Sequence, residues 1–221
     1  MTTIFRAIVV LLPWFIRRRV LVACYGYEIH SSARIGLAWV YPKSLIMGPG
    51  THIGHLTVCI NLSEVRLEES ASIGRGNWVT GFPAGHSRHF AHQPDRLARL
   101  HLKRHSAITN RHIIDCTAEV VIGEFSTIAG FRSQILTHSI DVMASRQSAH
   151  PVRVGARCFI GTNCVILGGA ELPDHSVLGA SSLLNKTHVA THTLYGGVPA
   201  RALKQLPPEA LYFTRPCGYV D

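Results

Sequence analysis

The chain has 221 residues, of which 47% are apolar and 8% are aromatic. This length suits one domain with a sizeable core, and the small number of rings favours a core of aliphatic side chains. The formal charge of +9 indicates an anionic partner. Zinc-finger spacing, helix-turn-helix patterns and aromatic RNA-binding runs are missing, so we expect phosphorylated cofactors or anionic lipid and no nucleic acid.

The N-terminal segment, residues 1–29, combines an apolar run with a basic cluster. The run at 4–16 contains a proline and is shorter than the roughly 20 apolar residues that span a membrane. The arginines at 17–19 follow the run, which is the reverse of a signal peptide. We predict a short apolar and basic helix on the inner face of the cytoplasmic membrane, with these arginines on anionic headgroups. Packing of the helix on the main domain or on a second subunit is the alternative.

A six-residue period begins weakly after residue 30 and becomes regular near the C-terminus. There an aliphatic residue recurs at every sixth position: Val154, Ile160, Ile166, Leu172, Leu178 and Leu184. Neither a helix nor a single strand gives this period, whereas a hexapeptide repeat does. Each six residues would form one short strand and a turn, and three strands would complete a triangular coil. The sequence therefore predicts an all-β solenoid, a parallel β-helix, with reduced cysteines such as Cys158 and Cys164 in its core.

Two stretches break the period, residues 81–105 and residues 139–151. In a solenoid such insertions leave the coils as loops, often on the binding side. The first contains His86, His89 and His92 at a spacing of three, which is one way to build a metal site. Without a nearby cysteine or carboxylate pair, we interpret them as part of a solvated basic loop.

The stretch "VRVGARCFIGTNCVILGGAELPDHSVLGASSLLNK" followed by "LYGGVPARALK" resembles the hexapeptide-repeat acyltransferases, in particular sugar and polysaccharide O-acetyltransferases of the galactoside, maltose and colanic-acid types. The resemblance covers roughly residues 30–205 and leaves 206–221 as a C-terminal tail. It implies a left-handed β-helix, acetyl-CoA as cosubstrate with no metal requirement, and a homotrimer with active sites between subunits.

The segment "QILTHSID" places His138 where the repeat stops and the second insertion begins. Histidine suits general-base chemistry because it titrates near neutral pH, and the end of a rigid strand would hold it beside solvent. The resembled enzymes carry their catalytic histidine in a similar segment just before a loop, which implies that role for His138. Asp141 could orient its imidazole, or could cap the following loop.

About one coil earlier, "RHIIDC" supplies His112 and Asp115. Their spacing from His138 predicts that they stack near it. There they could bind the acceptor or orient the base, although hydrogen bonds within a turn are an equal alternative.

The resemblance also implies donor-binding residues. Thr162 and Ala180 match positions eighteen residues apart where the pantetheine arm hydrogen-bonds the backbone, and Phe159 matches an aromatic residue near the thioester. The cations that match phosphate contacts of coenzyme A, or else form ordinary surface charge, are Lys186, Arg201 and Lys204.

These features predict an acetyl-CoA-dependent O-acetyltransferase that acts on a hydroxyl of a sugar or a lipid-linked glycan. Transfer would be direct, with His138 as the general base. One alternative on the same fold is a metal enzyme of the γ-class carbonic anhydrase type, which needs three histidines from neighbouring subunits. The other is a non-catalytic trimeric scaffold that binds glycans.

Overall fold

The computed structural model describes residues 2–85, 88–218 and 220, so His86 lies outside the described residues. Each hexapeptide forms a short strand and a turn, and the recurring aliphatic side chains point inward. The six aliphatic residues of the regular repeat are all buried, as are Cys158 and Cys164. Because each coil covers the apolar interior of the next, the repeat makes one continuous core.

Three parallel sheets form the faces of a triangular prism, here called A, B and C in chain order, with strands numbered along the chain. Face A contains β1 (Glu28–Ile29), β4 (Ser44–Met47), β7 (Glu64–Leu67), β10 (Arg99–Leu102), β13 (Val120–Ile122), β18 (Val152–Val154) and β21 (Glu171–Leu172). Face B contains β2 (Arg34–Ile35), β5 (His52–Ile53), β8 (Ser72–Ile73), β11 (Ala107–Ile108), β14 (Thr127–Ile128), β19 (Phe159–Ile160), β22 (Val177–Leu178), β24 (Thr193–Gly196) and β25 (Arg201–Gln205), the last pair antiparallel. Face C contains β3 (Trp39–Tyr41), β6 (Val58–Ile60), β9 (Trp78–Thr80), β12 (Ile113–Asp115), β15 (Gln134–Leu136), β20 (Val165–Leu167) and β23 (Leu183–Leu184).

Both insertions leave the prism at the C–A edge, where a strand of face C hands the chain back to face A. The first follows β9 and ends at Ala98, because Arg99–Leu102 is a regular strand that pairs with β7. The predicted boundary at residue 105 is therefore wrong. The second is a β-hairpin of β16 (His138–Asp141) and β17 (Arg146–Ala149), where an irregular loop was expected over 139–151.

The two insertions pack against each other and against the coil between them. Phe90, Ala118 and Ala149 form a small buried cluster, with Phe82 packed beside it. The side-chain amide of Gln93 donates to the carbonyl of Ala149 at 3.0 Å and accepts from its N–H at 2.9 Å. Two segments far apart in sequence thus make one continuous wall at this edge.

The N-terminal segment forms two helices, α1 (Thr3–Leu11) and α2 (Trp14–Tyr25), where one was predicted. Val9 and Leu21 are buried against the first coil. The Arg17 guanidinium, itself buried, donates to two carbonyls of that coil at 2.6 and 2.7 Å, and Arg18 donates to the carbonyl of Ile29. These carbonyls have no preceding coil to pair with, so the arginines satisfy them. Arg17 and Arg18 are therefore not lipid contacts, contrary to expectation.

Within the part of the chain that the structure describes, no helix has the length and apolar character needed to cross a membrane.

The C-terminal tail folds back along face B and forms α3 (Leu211–Thr214). The hydroxyl of Tyr212 donates to the carbonyl of Cys158 at 3.0 Å, and Phe213 is buried against the stacked rings of His175 and His192. Tyr219 and Asp221, also assigned to the tail, lie outside the described residues.

Candidate active site

His138 lies at the C–A edge, directly after β15 and at the start of the hairpin. Its Nδ1 is 2.8 Å from Oδ2 of Asp115, which ends β12 one coil earlier. The parallel register places Asp115 opposite Leu136, so the stacking of coils brings the two groups together as predicted.

Asp115 is a buried carboxylate surrounded by donors. Its Oδ2 accepts from the N–H and hydroxyl of Thr137 and from the N–H of His138, and its Oδ1 accepts from the N–H and hydroxyl of Thr117. Burial by itself would raise the pKa of Asp115, but the hydrogen bonds from Thr117, His138 and Thr137 outweigh it and hold this pKa below its usual value. The carboxylate is therefore ionised at neutral pH.

An ionised carboxylate at Nδ1 fixes the tautomer of His138. The proton resides on Nδ1, because only a donor satisfies the carboxylate at 2.8 Å. The imidazole is 43% exposed, and within the described residues no hydrogen bond is formed by Nε2. The ring thus presents a basic lone pair to solvent from a fixed position, which is the arrangement that proton abstraction requires.

Asp141 does not orient His138. Its Oδ1 accepts from the N–H of Ala144 at 3.0 Å and closes the hairpin turn. Since β16 is extended and Asp141 lies three positions after His138, the two side chains are separated along the strand and point to opposite faces. Of the two alternatives open for Asp141, the structure shows the loop cap, and the carboxylate beside the imidazole is Asp115.

His112 is not positioned to bind an acceptor. Its side chain is buried, Nδ1 accepts from the N–H of Ser133 at 3.1 Å, and Nε2 lies 3.0 Å from the hydroxyl of Thr109. Burial lowers the pKa of His112 to about 4, so the ring is neutral. Both nitrogens are used inside the coil at the B–C edge, and the predicted acceptor role is wrong because the side chain is buried, with 1% of its surface exposed.

The first insertion completes the surroundings of His138. The rings of Phe90 and His138 meet edge-to-face at a centroid distance of 6.2 Å, and the Arg96 guanidinium lies over the Phe90 ring, 4.3 Å from its centroid. Arg96 also donates to the carbonyls of Phe82 and Thr117. Sequence reasoning missed these residues because they lie in the insertion, and it missed Thr117 and Thr137 although both flank the predicted Asp115 and His138.

The predicted pantetheine positions lie on the B–C edge. Thr162 and Ala180 are exposed and stack one coil apart, since the N–H of Ser181 donates to the carbonyl of Thr162 at 2.9 Å. Phe159, on face B, packs against Tyr212 of the tail at 5.8 Å and lines an apolar groove with it.

The predicted phosphate contacts are divided between two parts of the prism. Arg201 and Lys204 are exposed on β25 at the end of face B, whereas Lys186 is exposed after β23 at the C–A edge. Within the described residues, none of these three cations forms an ion pair. Within one chain, His138 and Lys186 therefore lie on the C–A edge, whereas the other predicted donor positions lie on the B–C edge or on face B.

Of the histidines at 86, 89 and 92, the two that the structure describes are not part of any metal-ligand cluster. His89 packs edge-to-face on Phe82, His92 is exposed, and His86 falls outside the described ranges. Over residues 2–85, 88–218 and 220, no three His, Cys, Asp or Glu side chains converge as metal ligands.

The chain matches no family model. Among solved structures it is similar to the polysialic acid O-acetyltransferase OatWY, with a TM-score of 0.58, 16% identity, and 81% of this chain and 84% of that chain covered. It is also similar to a mutant of AntD, an N-acyltransferase from Bacillus cereus, in complex with dTDP and coenzyme A. The TM-score is 0.54 and the identity 12%, and the match covers 85% of this chain and 88% of the AntD chain. A second AntD mutant, in complex with dTDP-4-amino-4,6-dideoxyglucose and coenzyme A, is similar with a TM-score of 0.52 and 13% identity. That match covers 81% of this chain and 84% of the AntD chain. The predicted architecture is confirmed: the chain has the left-handed parallel β-helix fold of the hexapeptide-repeat acyltransferases.

Proposed function

We propose that the protein is an acetyl-CoA-dependent O-acetyltransferase in which His138 is the general base and Asp115 orients it. The observation that carries the proposal is the contact of Nδ1 with a buried, ionised carboxylate while Nε2 faces solvent. The names of two proteins with this fold, an O-acetyltransferase and an N-acyltransferase crystallised with coenzyme A, support acyl transfer.

In the proposed reaction Nε2 of His138 accepts the proton of the acceptor hydroxyl while the hydroxyl oxygen attacks the thioester carbonyl. The resulting imidazolium is stabilised by Asp115 through Nδ1. Collapse of the tetrahedral intermediate forms the acetyl ester and releases the thiolate of coenzyme A, to which Nε2 returns the proton.

The surroundings of Cys116 support direct transfer over an acyl-enzyme route through this thiol. Cys116, next to Asp115 in sequence, is fully buried, and burial raises its thiol pKa well above the usual value. A protonated thiol without access to substrate is a poor nucleophile.

A homotrimer with shared sites is part of the proposal. His138 is on the C–A edge of the prism and Thr162 with Ala180 on the B–C edge, so a thioester held at one edge is out of reach of the base at the other. Cyclic assembly would set the C–A edge of one chain against the B–C edge of its neighbour. Lys186, on the same edge as His138, would then face the coenzyme A held by Arg201 and Lys204 of the neighbouring chain.

Attachment to an anionic membrane surface completes the proposal and would favour a lipid-linked glycan as acceptor. A row of large apolar side chains is exposed along α1 and the start of α2: Ile4, Ile8, Leu11 and Phe15. The first 27 residues contain no acid, and Arg19 is exposed beside the row. An exposed apolar face with adjacent positive charge is typical of helices that lie in the membrane interface, where the apolar face is buried in lipid.

The membrane proposal is tested with Ile8→Gln and Leu11→Gln together, because both side chains are exposed and the fold should survive their loss. Sedimentation with vesicles of anionic phospholipid at low salt should fall about tenfold or more, since each buried side chain contributes about 1.5–3 kcal/mol. Leu97→Gln, another exposed apolar residue, is the control. Full-length protein that ignores the vesicles would refute attachment.

The enzymatic proposal is tested by measuring thiol release from acetyl-CoA. The acceptor panel contains neutral sugars, acidic sugars, nucleotide sugars and lipid-linked glycans. Acceptor-dependent release with one acetyl ester formed per thiol is expected. Glycan binding without thiol release would favour the scaffold. Activity that depends on a stoichiometric metal in the purified protein would favour the carbonic-anhydrase-type alternative.

A further inference from the structure

The B–C edge carries a ladder of arginines that no acidic side chain among the described residues neutralises. Arg75, Arg111 and Arg132 are exposed and lie on successive coils, since the N–H of Arg111 donates to the carbonyl of Arg75 and that of Arg132 to the carbonyl of Arg111, both at 3.0 Å. Within the described part of the chain, their guanidinium groups form no hydrogen bond or ion pair.

This pattern differs from the other arginine-rich part of the prism. On face A, arginines are interleaved with glutamates, and Arg99 and Arg153 both reach Glu119. Coils repeat at about 4.8 Å, so like charges on successive coils repel one another and offer no stability by themselves. An uncompensated ladder of this kind is expected where an anion binds.

A cleft of about 460 Å³ opens beside the ladder. It is lined by Arg111, Phe131, Arg132, Thr162 and Asn163, with no carboxylate among them. The Phe131 ring is half exposed and offers an apolar face for a sugar or a base. The hydroxyl of Thr162 bonds both the N–H and the carbonyl of Phe131, which fixes the wall between the ladder and the predicted donor position.

The arginine ladder reaches the same height along the prism axis as the proposed base, His138. Cyclic symmetry about an axis parallel to the prism sets equal coils of neighbouring chains at equal height. Arg132 belongs to the coil that ends at His138, Thr162 and Ala180 lie on the C-terminal side of it, and Arg111 lies on the N-terminal side. A donor that extends along Thr162 and Ala180 would leave the arginine side of the shared cleft to the acceptor.

We infer that Arg111 and Arg132 bind a phosphate or carboxylate group of the acceptor, so the acceptor is an anionic sugar derivative. The inference rests on the proposed function. Guanidinium groups suit it because their paired N–H groups match both anions bidentately. Phosphate would come from a nucleotide-linked or lipid-linked sugar, and carboxylate from an acidic sugar.

Binding without acetyl-CoA is the first test, by calorimetry with inorganic pyrophosphate, a glucuronate disaccharide and maltose. The protein should bind one of the two anions and ignore maltose. Arg111→Gln and Arg132→Gln should each weaken that binding about tenfold, as expected for a charge-assisted contact. Arg34→Gln, the same change at an exposed arginine near the N-terminal end, is the matched control. Arg132→Lys should weaken binding less than Arg132→Gln.

The kinetic test uses the best acceptor from the panel. Both substitutions should raise the acceptor KM and leave the acetyl-CoA KM unchanged. Unaltered anion binding in a variant that combines Arg111→Gln with Arg132→Gln would overturn the inference, as would a neutral acceptor used as well as an anionic one. Dissociation of the variants into monomers would also overturn it, because the arginines would then be subunit contacts. If anion binding depends on both arginines but no acceptor is acetylated, the anion site is supported and the proposed function is refuted.

Discussion

Two edges of the same prism are built from the same repeat and differ in character. The B–C edge keeps its short turns through the regular coils and exposes ordinary turn residues such as Thr162 and Ala180. The C–A edge is interrupted twice, and there a buried carboxylate, Asp115, meets a half-exposed imidazole, His138. A regular edge offers a surface of repeated backbone groups, whereas an interrupted edge supplies the wall of side chains needed to bury and orient a charge. Our proposal therefore places the chemistry at the C–A edge and ligand binding at the B–C edge.

The largest expected effect is at the base. His138→Ala should lower kcat by roughly 10²–10⁴-fold, because it removes the imidazole that Asp115 orients towards solvent. Steady-state kinetics should show an acetyl-CoA KM close to that of the unaltered protein. His150→Ala, which removes an exposed histidine from the other end of the hairpin, should retain full activity. Wild-type turnover by His138→Ala would break the assignment of chemistry to this edge.

A smaller loss is expected when the base is kept and its carboxylate is replaced. Asp115→Asn should lower kcat about 10²-fold, since the amide no longer fixes the Nδ1–H tautomer or stabilises the imidazolium. Asp141→Asn should have little effect, because its side chain only closes the hairpin turn. The pH dependence of kcat should change in Asp115→Asn and not in Asp141→Asn. Equal losses in both variants would show that the hairpin as a whole, and not the Asp115 contact, matters.

The inward-facing histidine of the B–C edge should affect stability and not catalysis. Its folded-state pKa of about 4 lies below the ordinary value of about 6.5, so the unfolded chain binds the proton more readily. His112 therefore lowers the free energy of unfolding as pH falls from about 6.5 towards 4, by up to a few kcal/mol.

Replacement of His112 by Gln should reduce stability at pH 7.5 by about 1–3 kcal/mol, because it disturbs two buried hydrogen bonds. The decline of stability between pH 6.5 and 4 should become shallower. Urea unfolding at several pH values measures the stability at pH 7.5 and its decline with pH. The acceptor KM should not change. A raised acceptor KM with unchanged stability would show that His112 contributes to acceptor binding.

The smallest effect is expected at Arg201 and Lys204, the exposed cations that we propose bind the donor. Arg201→Ala with Lys204→Ala should raise the acetyl-CoA KM several-fold at low salt and less at physiological salt, because exposed contacts are screened. The acceptor KM should stay constant. Lys43→Ala with Arg34→Ala removes the same charge elsewhere and is the control. An unchanged donor KM would mean that Arg201 and Lys204 are surface charge only.

The repeat was readable from the sequence because it is a local regularity. Six aliphatic residues at a spacing of six, such as Ile160 and Ile166, require inward-facing positions, and the structure buries all six. The approximate position of Asp115 relative to His138 also followed from coil arithmetic. The choice between Asp115 and Asp141 did not, because it depends on which direction a side chain takes when the chain leaves the coil.

The sequence by itself determined the solenoid, its core residues and the place where the repeat breaks at His138, since each depends on neighbours within a few residues or on an exact period. Only the tertiary structure decided that His112 is buried and neutral, that Arg17 caps the first coil, and that the first insertion reaches His138 through Phe90. These outcomes depend on contacts between segments far apart in sequence, whose desolvation and geometry carry no local pattern. The tail shows the same principle, because Phe213 finds its partners only when residues 206–218 return along a face formed by earlier coils.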